Sequence, residues 1–271
     1  MMRSKMKNVF RVQRFMKKSS LAFAFCAWLT AAAVAQTSIP RSQIQSVAPL
    51  SGEEVVKRMV QRNLERANAL RSFQATRTYR LEYRGFPSNR EAEMVTNIVY
   101  QAPESKEFTV VSQSGSKLIV DRVFRKLLES EQEAMKAENR TRTALNTDNY
   151  TFQLIGYEMS GQTANYVFQV EAKNPTKFVY RGKIWVDAND FAVSRMQVEP
   201  AKSPSFWTKR SEIEHIYAKV DGFWLPKQNR SVSTIRLGGQ AILTIDYNSY
   251  KIRDPLAAAS SQLTHLAPAA Y

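Results

Sequence analysis

The sequence predicts a mainly β (α+β) protein: an incomplete, strongly curved antiparallel β-barrel of about ten strands, with two amphipathic helices covering its concave face. Three observations lead to this prediction. Ten segments show the short, alternating or apolar runs of strands, and turn-forming residues separate them. Two other segments repeat their apolar residues at helical spacing. Because each antiparallel pair adds twist, about ten strands in one sheet are expected to curl.

The first 35 residues have the pattern of a cleavable signal peptide. Seven basic residues and no acidic one are followed by an apolar run from Leu21 to Val34, which ends at the small-residue pattern Ala33-Val34-Ala35. The rival interpretation is a membrane anchor, but the run is shorter than the roughly 20 residues that span a bilayer. We predict cleavage after Ala35 and a function outside the cytoplasm.

Removing this peptide changes the composition of the mature chain. The single cysteine, Cys26, lies within it, so disulfides and thiol catalysis are excluded from the remainder. Seven of the 39 basic residues and none of the 24 acidic residues leave with it, so the net charge falls from +15 to +8. That surplus fits a solvated surface or attraction to anionic lipid head groups. Because no recognition motif is present, nucleic acid is not an expected partner.

Order is expected to begin at Ser51, after a flexible segment at 36–50. Ser51 and Glu54 fit a capping box, which marks the start of a helix. The apolar residues that then recur at helical spacing are Val55, Val56, Met59, Val60, Leu64, Ala67 and Leu70. An amphipathic helix of about five turns follows from this spacing.

From Phe73 the period becomes two, which indicates a half-buried strand. One side of this strand carries Phe73, Ala75, Arg77, Tyr79, Leu81 and Tyr83. Further strands are predicted near 91–100 and 106–113. These three strands are expected to form an antiparallel meander.

Helical spacing returns after residue 116, and seven more strands follow. The apolar stripe of this second helix consists of Val120, Val123, Phe124, Leu127, Leu128, Ala134 and Met135. The later strands are predicted at 150–159, 164–172, 178–187, 191–199, 207–219, 224–236 and 240–252. Residues 253–271 are rich in Ala, Ser and Pro and are predicted to be a disordered tail. Residues 51–252 thus form a single predicted domain.

The sequence offers little support for catalysis. The mature chain has two histidines, His215 and His265, and no nucleophile elbow, phosphate-binding loop or zinc or calcium spacing. Glu212, Glu214 and His215 are close in sequence, but on a strand the glutamates face away from the histidine. We therefore predict no metal, no cofactor and no enzymatic activity. A remote alternative is a hydrolase whose two carboxylates converge in space.

Residues 51–252 resemble the LolA-like superfamily of periplasmic lipoprotein carriers and the related RseB-type sensors. The resemblance is carried by the capped helix at Ser51 and by four segments: Val99-Tyr100-Gln101-Ala102-Pro103, Arg181-Gly182-Lys183-Ile184-Trp185-Val186-Asp187, Phe191-Ala192-Val193-Ser194-Arg195 and Asp221-Gly222-Phe223-Trp224-Leu225-Pro226. It implies a periplasmic half-barrel whose concave, apolar face holds lipid acyl chains beneath helices. Where the lipoprotein carrier has an Arg-Pro pair linked to cargo release, this chain has Ala102-Pro103.

The function predicted from these features is a monomeric periplasmic carrier that binds a lipid or lipoprotein acyl chain. An alternative is an envelope sensor of the RseB type that binds a membrane-protein partner. Alternation along the strands predicts that the cavity is lined by Tyr79, Tyr83, Met94, Ile98, Phe152, Leu154, Tyr166, Phe168, Ile184, Met196 and Trp224. The predicted lid residues on the second helix are Val120, Val123, Phe124 and Leu127. A slip of one residue in register would exchange the two faces of a strand.

Overall fold

The computed structural model describes residues 50–103, 105–160, 163–203, 208–236 and 238–253. The predicted signal peptide, residues 36–49 and the predicted tail from residue 254 lie outside these ranges. The helices are α1 (Gly52–Ala69), α2 (Arg125–Met135) and α3 (Ala137–Thr143). The strands are β1 (Ser72–Arg84), β2 (Arg90–Gln101), β3 (Ser105–Gly115), β4 (Tyr150–Ser160), β5 (Thr163–Ala172), β6 (Tyr180–Asp187), β7 (Val193–Pro200), β8 (Thr208–Val220), β9 (Phe223–Ile235) and β10 (Gln240–Arg253).

The ten strands form one sheet in the order β3-β2-β1-β10-β9-β8-β7-β6-β5-β4. Every neighbouring pair is antiparallel. The sheet does not close, because β3 and β4 are edge strands at opposite ends of this order. The predicted fold class, a mainly β protein built on an incomplete antiparallel barrel, is confirmed.

Helix α1 begins where its capping residue predicts. Ser51 has extended backbone angles, and its hydroxyl accepts a hydrogen bond from the Glu54 amide at 3.3 Å. The Glu54 carboxylate accepts from Arg58 Nε at 2.6 Å, one turn further along the helix. It therefore pairs with Arg58 instead of accepting from the Ser51 amide, as a complete capping box would require. Burial lies on one side of the helix, at Val55, Val56 and Met59.

The second helical region is more divided than the single helix that its apolar stripe predicts. A π-helical turn over Ile119–Phe124 runs directly into α2. Lys136 then takes an extended conformation, with ψ near 139°, and so ends α2 before α3 begins. The described part of the chain therefore has three helices and this turn.

The pairing register shows that both helical covers lie on the same face of the sheet. Residues paired directly across antiparallel strands point to the same side. One row of such residues crosses the sheet as Met94, Tyr79, Ile245, Asn229, His215, Met196, Ile184 and Phe168. One end of this row packs beneath α2 and the other beneath α1. We call this side the inner face.

The opposite side of the sheet, the outer face, is polar. The neighbouring row consists of Glu93, Arg80, Thr244, Arg230, Glu214, Gln197, Lys183 and Gln169. Arg80 bridges Glu93 at 2.8 Å and Asp246 at 2.6 Å on this face. The inner face thus provides the core, and the outer face meets solvent.

Candidate functional site

Helix α1 covers the inner face over β4 to β8. Its buried side chains Val55, Val56 and Met59 join a cluster with Phe168 and Ile184 from the sheet. The amide of Leu50, just before the helix, donates to the Tyr166 hydroxyl at 3.2 Å. Directly beneath the buried side of α1, the inner face is therefore a packed core.

The π-helical turn and α2 cover the inner face over β1 and β2. Ile119 and Phe124 of the turn are buried against Tyr79, Leu81 and Met94. The rings of Tyr79 and Phe124 lie 6.0 Å apart in a tilted arrangement. Helix α2 itself has no fully buried residue. Its attachment to the sheet therefore depends on the turn, on the partly buried Leu127 and Leu128, and on polar contacts.

A buried ion-pair cluster supplies those polar contacts. Glu131 of α2 accepts from Arg77 Nη1 on β1 at 2.6 Å and from Lys106 Nζ on β3. Arg77 also faces the Tyr247 ring at 4.5 Å. Burial opposes ionisation of Glu131, but the two cations outweigh it and lower the pKa of its carboxyl. For Lys106, burial dominates and lowers the pKa of its ammonium group.

Between the end of α1 and strands β6 to β9, the inner face is open. A pocket of about 410 Å³ lies there. The side chains that line it are mainly apolar or aromatic, among them Leu70, Leu145, Tyr150, Tyr180, Met196, Tyr217, Phe223, Trp224 and Leu225. This volume falls within the range of about 300–1,000 Å³ that is usual for small-molecule sites.

The floor of the pocket carries no charge at neutral pH. Burial raises the pKa of the Tyr180 and Tyr217 hydroxyls above their usual value. The imidazole of His215 contacts both tyrosine rings at 6.2 Å, and burial lowers its pKa to about 4. A ring nitrogen of His215 lies 2.9 Å from Asn229 Nδ2. An uncharged, largely apolar floor favours an apolar ligand.

The charged side chain among the residues that line the pocket is Arg66, at the mouth. Arg66 of α1 donates to the backbone carbonyls of Asp190 and Phe191 in the β6–β7 turn. Asp190 in turn accepts from Trp224 Nε1 at 2.8 Å and pairs with Lys219 at 2.7 Å. The Lys219 hydrogen bond outweighs burial and lowers the pKa of Asp190. These contacts fix Trp224 and the end of α1 around the opening.

The structure distributes the sequence-predicted lining residues over the whole inner face. Met196 and Trp224 line the pocket. Phe152, Tyr166, Phe168 and Ile184 pack at or beneath α1, whereas Tyr79, Met94 and Tyr83 belong to the cluster beneath α2. Ile98 packs with Phe73, and Leu154 lies on edge strand β4. Contact between these residues and a ligand stays a prediction.

The predicted lid residues occupy the second helical region. Val120, Val123 and Phe124 belong to the π-helical turn, and Leu127 belongs to α2. All four pack onto the cluster around Tyr79. Their action as a movable lid also stays a prediction.

Sequence reasoning missed several residues of the pocket. Arg66 belongs to the last turn of α1 and Leu70 directly follows this helix, whereas Tyr217 and Leu225 lie on either side of the turn that joins β8 to β9. Periodicity in the sequence shows which face of a strand or helix these residues occupy. It does not show which part of that face the other elements leave uncovered. Covering elements decide that, and these are distant in sequence.

The described residues hold no group of three or more metal-ligating side chains. Glu214 pairs with Arg195 on the outer face, whereas His215 lies on the inner face, as alternation predicts. Within the same ranges, none of the helices is both long enough and apolar enough to cross a membrane.

Comparison with known proteins identifies similar solved structures but no matching sequence. No model of a known protein family matches the chain, and no curated protein matches it. A LolA superfamily protein from Nitrosomonas europaea is 15% identical, with a TM-score of 0.33, over 76% of this chain and 94% of that one. A putative outer membrane lipoprotein-sorting protein domain from Vibrio parahaemolyticus is 9% identical, with a TM-score of 0.39, over 80% and 99%.

The MucA/MucB complex of Pseudomonas aeruginosa is also similar, at 12% identity and a TM-score of 0.24, over 72% of this chain and 99% of that one. The resemblance noted in the sequence therefore recurs among solved structures, at low identity. All three TM-scores lie below 0.5, so the functional proposals for this chain rest on its own geometry.

Proposed function

We propose that this chain is a periplasmic carrier that shelters an acyl chain of a lipid or lipoprotein in the inner-face pocket between α1 and β6–β9. The observation that carries the proposal is the pocket of about 410 Å³ with its uncharged floor and apolar lining. The predicted signal peptide and the names of the LolA superfamily and lipoprotein-sorting structures are consistent with this role.

Apolar burial sets an upper limit on the affinity for an acyl chain. Each buried methylene of an acyl chain contributes about 0.8 kcal/mol. Ten buried methylenes would contribute about 8 kcal/mol, which corresponds to a Kd of about 1 µM before the costs of association. An exposed lipid head group would then lie at the mouth, beside Arg66 and Asn63.

A fluorescent fatty acid tests the proposal against a pair of matched variants. Ala67 lines the pocket mouth on the exposed side of α1, so Ala67→Trp is expected to fill the opening without disturbing the core. Ala69 is exposed on the same helix and does not line the pocket, so Ala69→Trp is the control. We expect saturable binding by the natural chain and the control, with a Kd above the limit of about 1 µM that apolar burial alone sets, and at least tenfold weaker binding by Ala67→Trp.

Two results would count against the carrier. One is the absence of uptake by the natural chain, together with ligand-free protein in native mass spectrometry after purification from its own envelope. The other is equal affinity of the two tryptophan variants. The second result would place any ligand outside this pocket.

A second candidate function is recognition of a membrane-protein partner, as in an RseB-type sensor. Edge strand β4 favours it, because Leu154, Ile155, Tyr157 and Met159 on this strand are exposed. An exposed apolar edge strand is a template for pairing with an extended segment. Crosslinking in intact envelopes tests this function: a reproducible partner that Ile155→Lys abolishes supports it, and the absence of any partner contradicts it.

A further inference from the structure

The sheet splits between β7 and β8. These two strands pair from Arg195↔Ile216 to Val198↔Ile213 and no further. Beyond that point, β7 continues to pair with β6 as far as Pro200, and the first part of β8 pairs with β9 from Thr208. The two strands therefore diverge, and a fork opens between the end of β7 and the start of β8.

A second pocket, which we call the fork pocket, occupies this opening. Its volume is about 410 Å³, and none of its lining residues lines the apolar pocket. The end of β7 contributes Glu199, the start of β8 contributes Lys209, Arg210 and Ser211, and β6 contributes Arg181. These side chains make the fork pocket polar where the first pocket is apolar.

The fork pocket has an excess of positive charge. It is lined by three cationic side chains, Arg181, Lys209 and Arg210, but by one carboxylate, Glu199. Arg181 Nε donates to Glu199 Oε1 at 2.8 Å, and Arg210 Nε lies 3.4 Å from Glu199 Oε2. Arg210 also reaches Glu212 at 3.3 Å. Lys209 forms no ion pair with any residue in the described ranges.

The shared carboxylate positions the two guanidinium groups without using all of their donors. Arg181 donates to Glu199 through Nε, and within the described residues its two terminal amino groups have no hydrogen-bond acceptor. Guanidinium groups match phosphate oxygens in geometry, and a lysine ammonium adds a compact charge. The volume provides room for a phosphate together with its substituent.

We propose that the fork pocket binds a phosphate group, held by Arg181, Lys209 and Arg210. Free phosphate compounds and phospholipid head groups share this chemistry. The site is separate from the acyl-chain pocket and does not depend on it.

Two titrations of the full chain test the site. The first adds inorganic phosphate at constant ionic strength and follows amide chemical shifts. The second adds vesicles of phosphatidylglycerol in phosphatidylcholine, with pure phosphatidylcholine vesicles as reference. The variants are Lys209→Gln and Arg181→Gln. The matched control is Lys227→Gln, which removes the same charge from an exposed position on β9 outside the fork pocket.

We expect saturable binding in at least one titration, weakened at least tenfold by Lys209→Gln and Arg181→Gln and changed less than twofold by Lys227→Gln. Saturation by inorganic phosphate would identify a free phosphate compound as the ligand, whereas binding to vesicles alone would identify a lipid head group. Absence of saturable binding in both titrations would overturn the proposal. An equal loss in Lys227→Gln would do so too, because it would indicate attraction to net charge rather than to this pocket.

Discussion

Replacing Glu131 with glutamine is expected to detach α2 from the sheet. The carboxylate is the shared acceptor for Arg77 and Lys106, whose side chains are 5% and 11% exposed. Glutamine has nearly the same shape but no charge, so the substitution leaves two buried cations without a counter-charge. Arg77 would keep its contacts with the Tyr247 ring and the Tyr79 hydroxyl.

The expected cost follows from this environment. Breaking a buried ion pair by removing one partner typically costs about 3–5 kcal/mol, because the remaining charge is not compensated. Glu131 itself is 29% exposed, and water reaching the site lowers the cost toward the lower end of that range. We therefore expect a loss of about 3 kcal/mol in the free energy of unfolding.

Denaturant unfolding measures this loss, and amide hydrogen exchange locates it. Exchange should accelerate in α2 and in the π-helical turn, while protection in α1 should change little, because α1 packs in a different cluster. Glu129→Gln is the matched control: it makes the same change at an exposed position of the same helix. It should cost less than about 0.5 kcal/mol. A loss below about 1 kcal/mol for Glu131→Gln, or equal losses for both variants, would refute this reasoning.

Three further predictions concern stability. Burial lowers the pKa of His215 to about 4 in the folded state, below about 6.5 in an unfolded chain. The stability present above pH 6.5 should therefore decline toward pH 4, by at most about 3 kcal/mol. Denaturant unfolding at pH 7 and pH 5 should show a smaller decline in the free energy of unfolding for His215→Gln than for the natural chain. An equal decline in both proteins would contradict the lowered pKa of His215. Ser51→Ala should cost about 1 kcal/mol through loss of the helix cap, as measured by thermal unfolding; no change in Tm would exclude a role for this cap. Gly115→Ala should cost about 2 kcal/mol more than Gly222→Ala, which has a similar positive φ, because only at Gly115 would a new Cβ lie 2.4 Å from Glu91 O. Equal Tm values for the two variants would show that this clash is relieved.

Local periodicity was sufficient to predict the sheet. Alternation placed Arg77 on the same side of β1 as Tyr79 and Leu81, and the structure buries all three there. The strand boundaries agree to within two or three residues, because turn-forming residues such as Asp221-Gly222 end each run. Each of these signals lies within a few residues in sequence.

The interactions that shape the site are not local. Glu131, which neutralises Arg77, lies 54 residues away, and no pattern in either segment indicates the other. The predicted apolar stripe ends at Met135, where α2 ends, but the π-helical turn before α2 and the separate helix α3 after Lys136 escaped prediction.

The same limit explains the lining residues. Tyr79 and Met196 lie on the same face of the sheet, and alternation treats them alike. Tyr79 is buried by Phe124, whereas Met196 also lines the pocket between α1 and the central strands. Which inner-face residues remain available to a ligand depends on where the helices end above them. That information is absent from the strands themselves.

Photocrosslinking with a diazirine-bearing fatty acid tests the acyl-chain pocket most directly. The probe is loaded into the purified chain, irradiated, and mapped by peptide mass spectrometry. We predict modification of the pocket residues Met196, Tyr217 and Leu225, reduced by an excess of unlabelled fatty acid. Modification confined to the outer face, or modification that unlabelled fatty acid does not reduce, would contradict an acyl-chain site on the inner face.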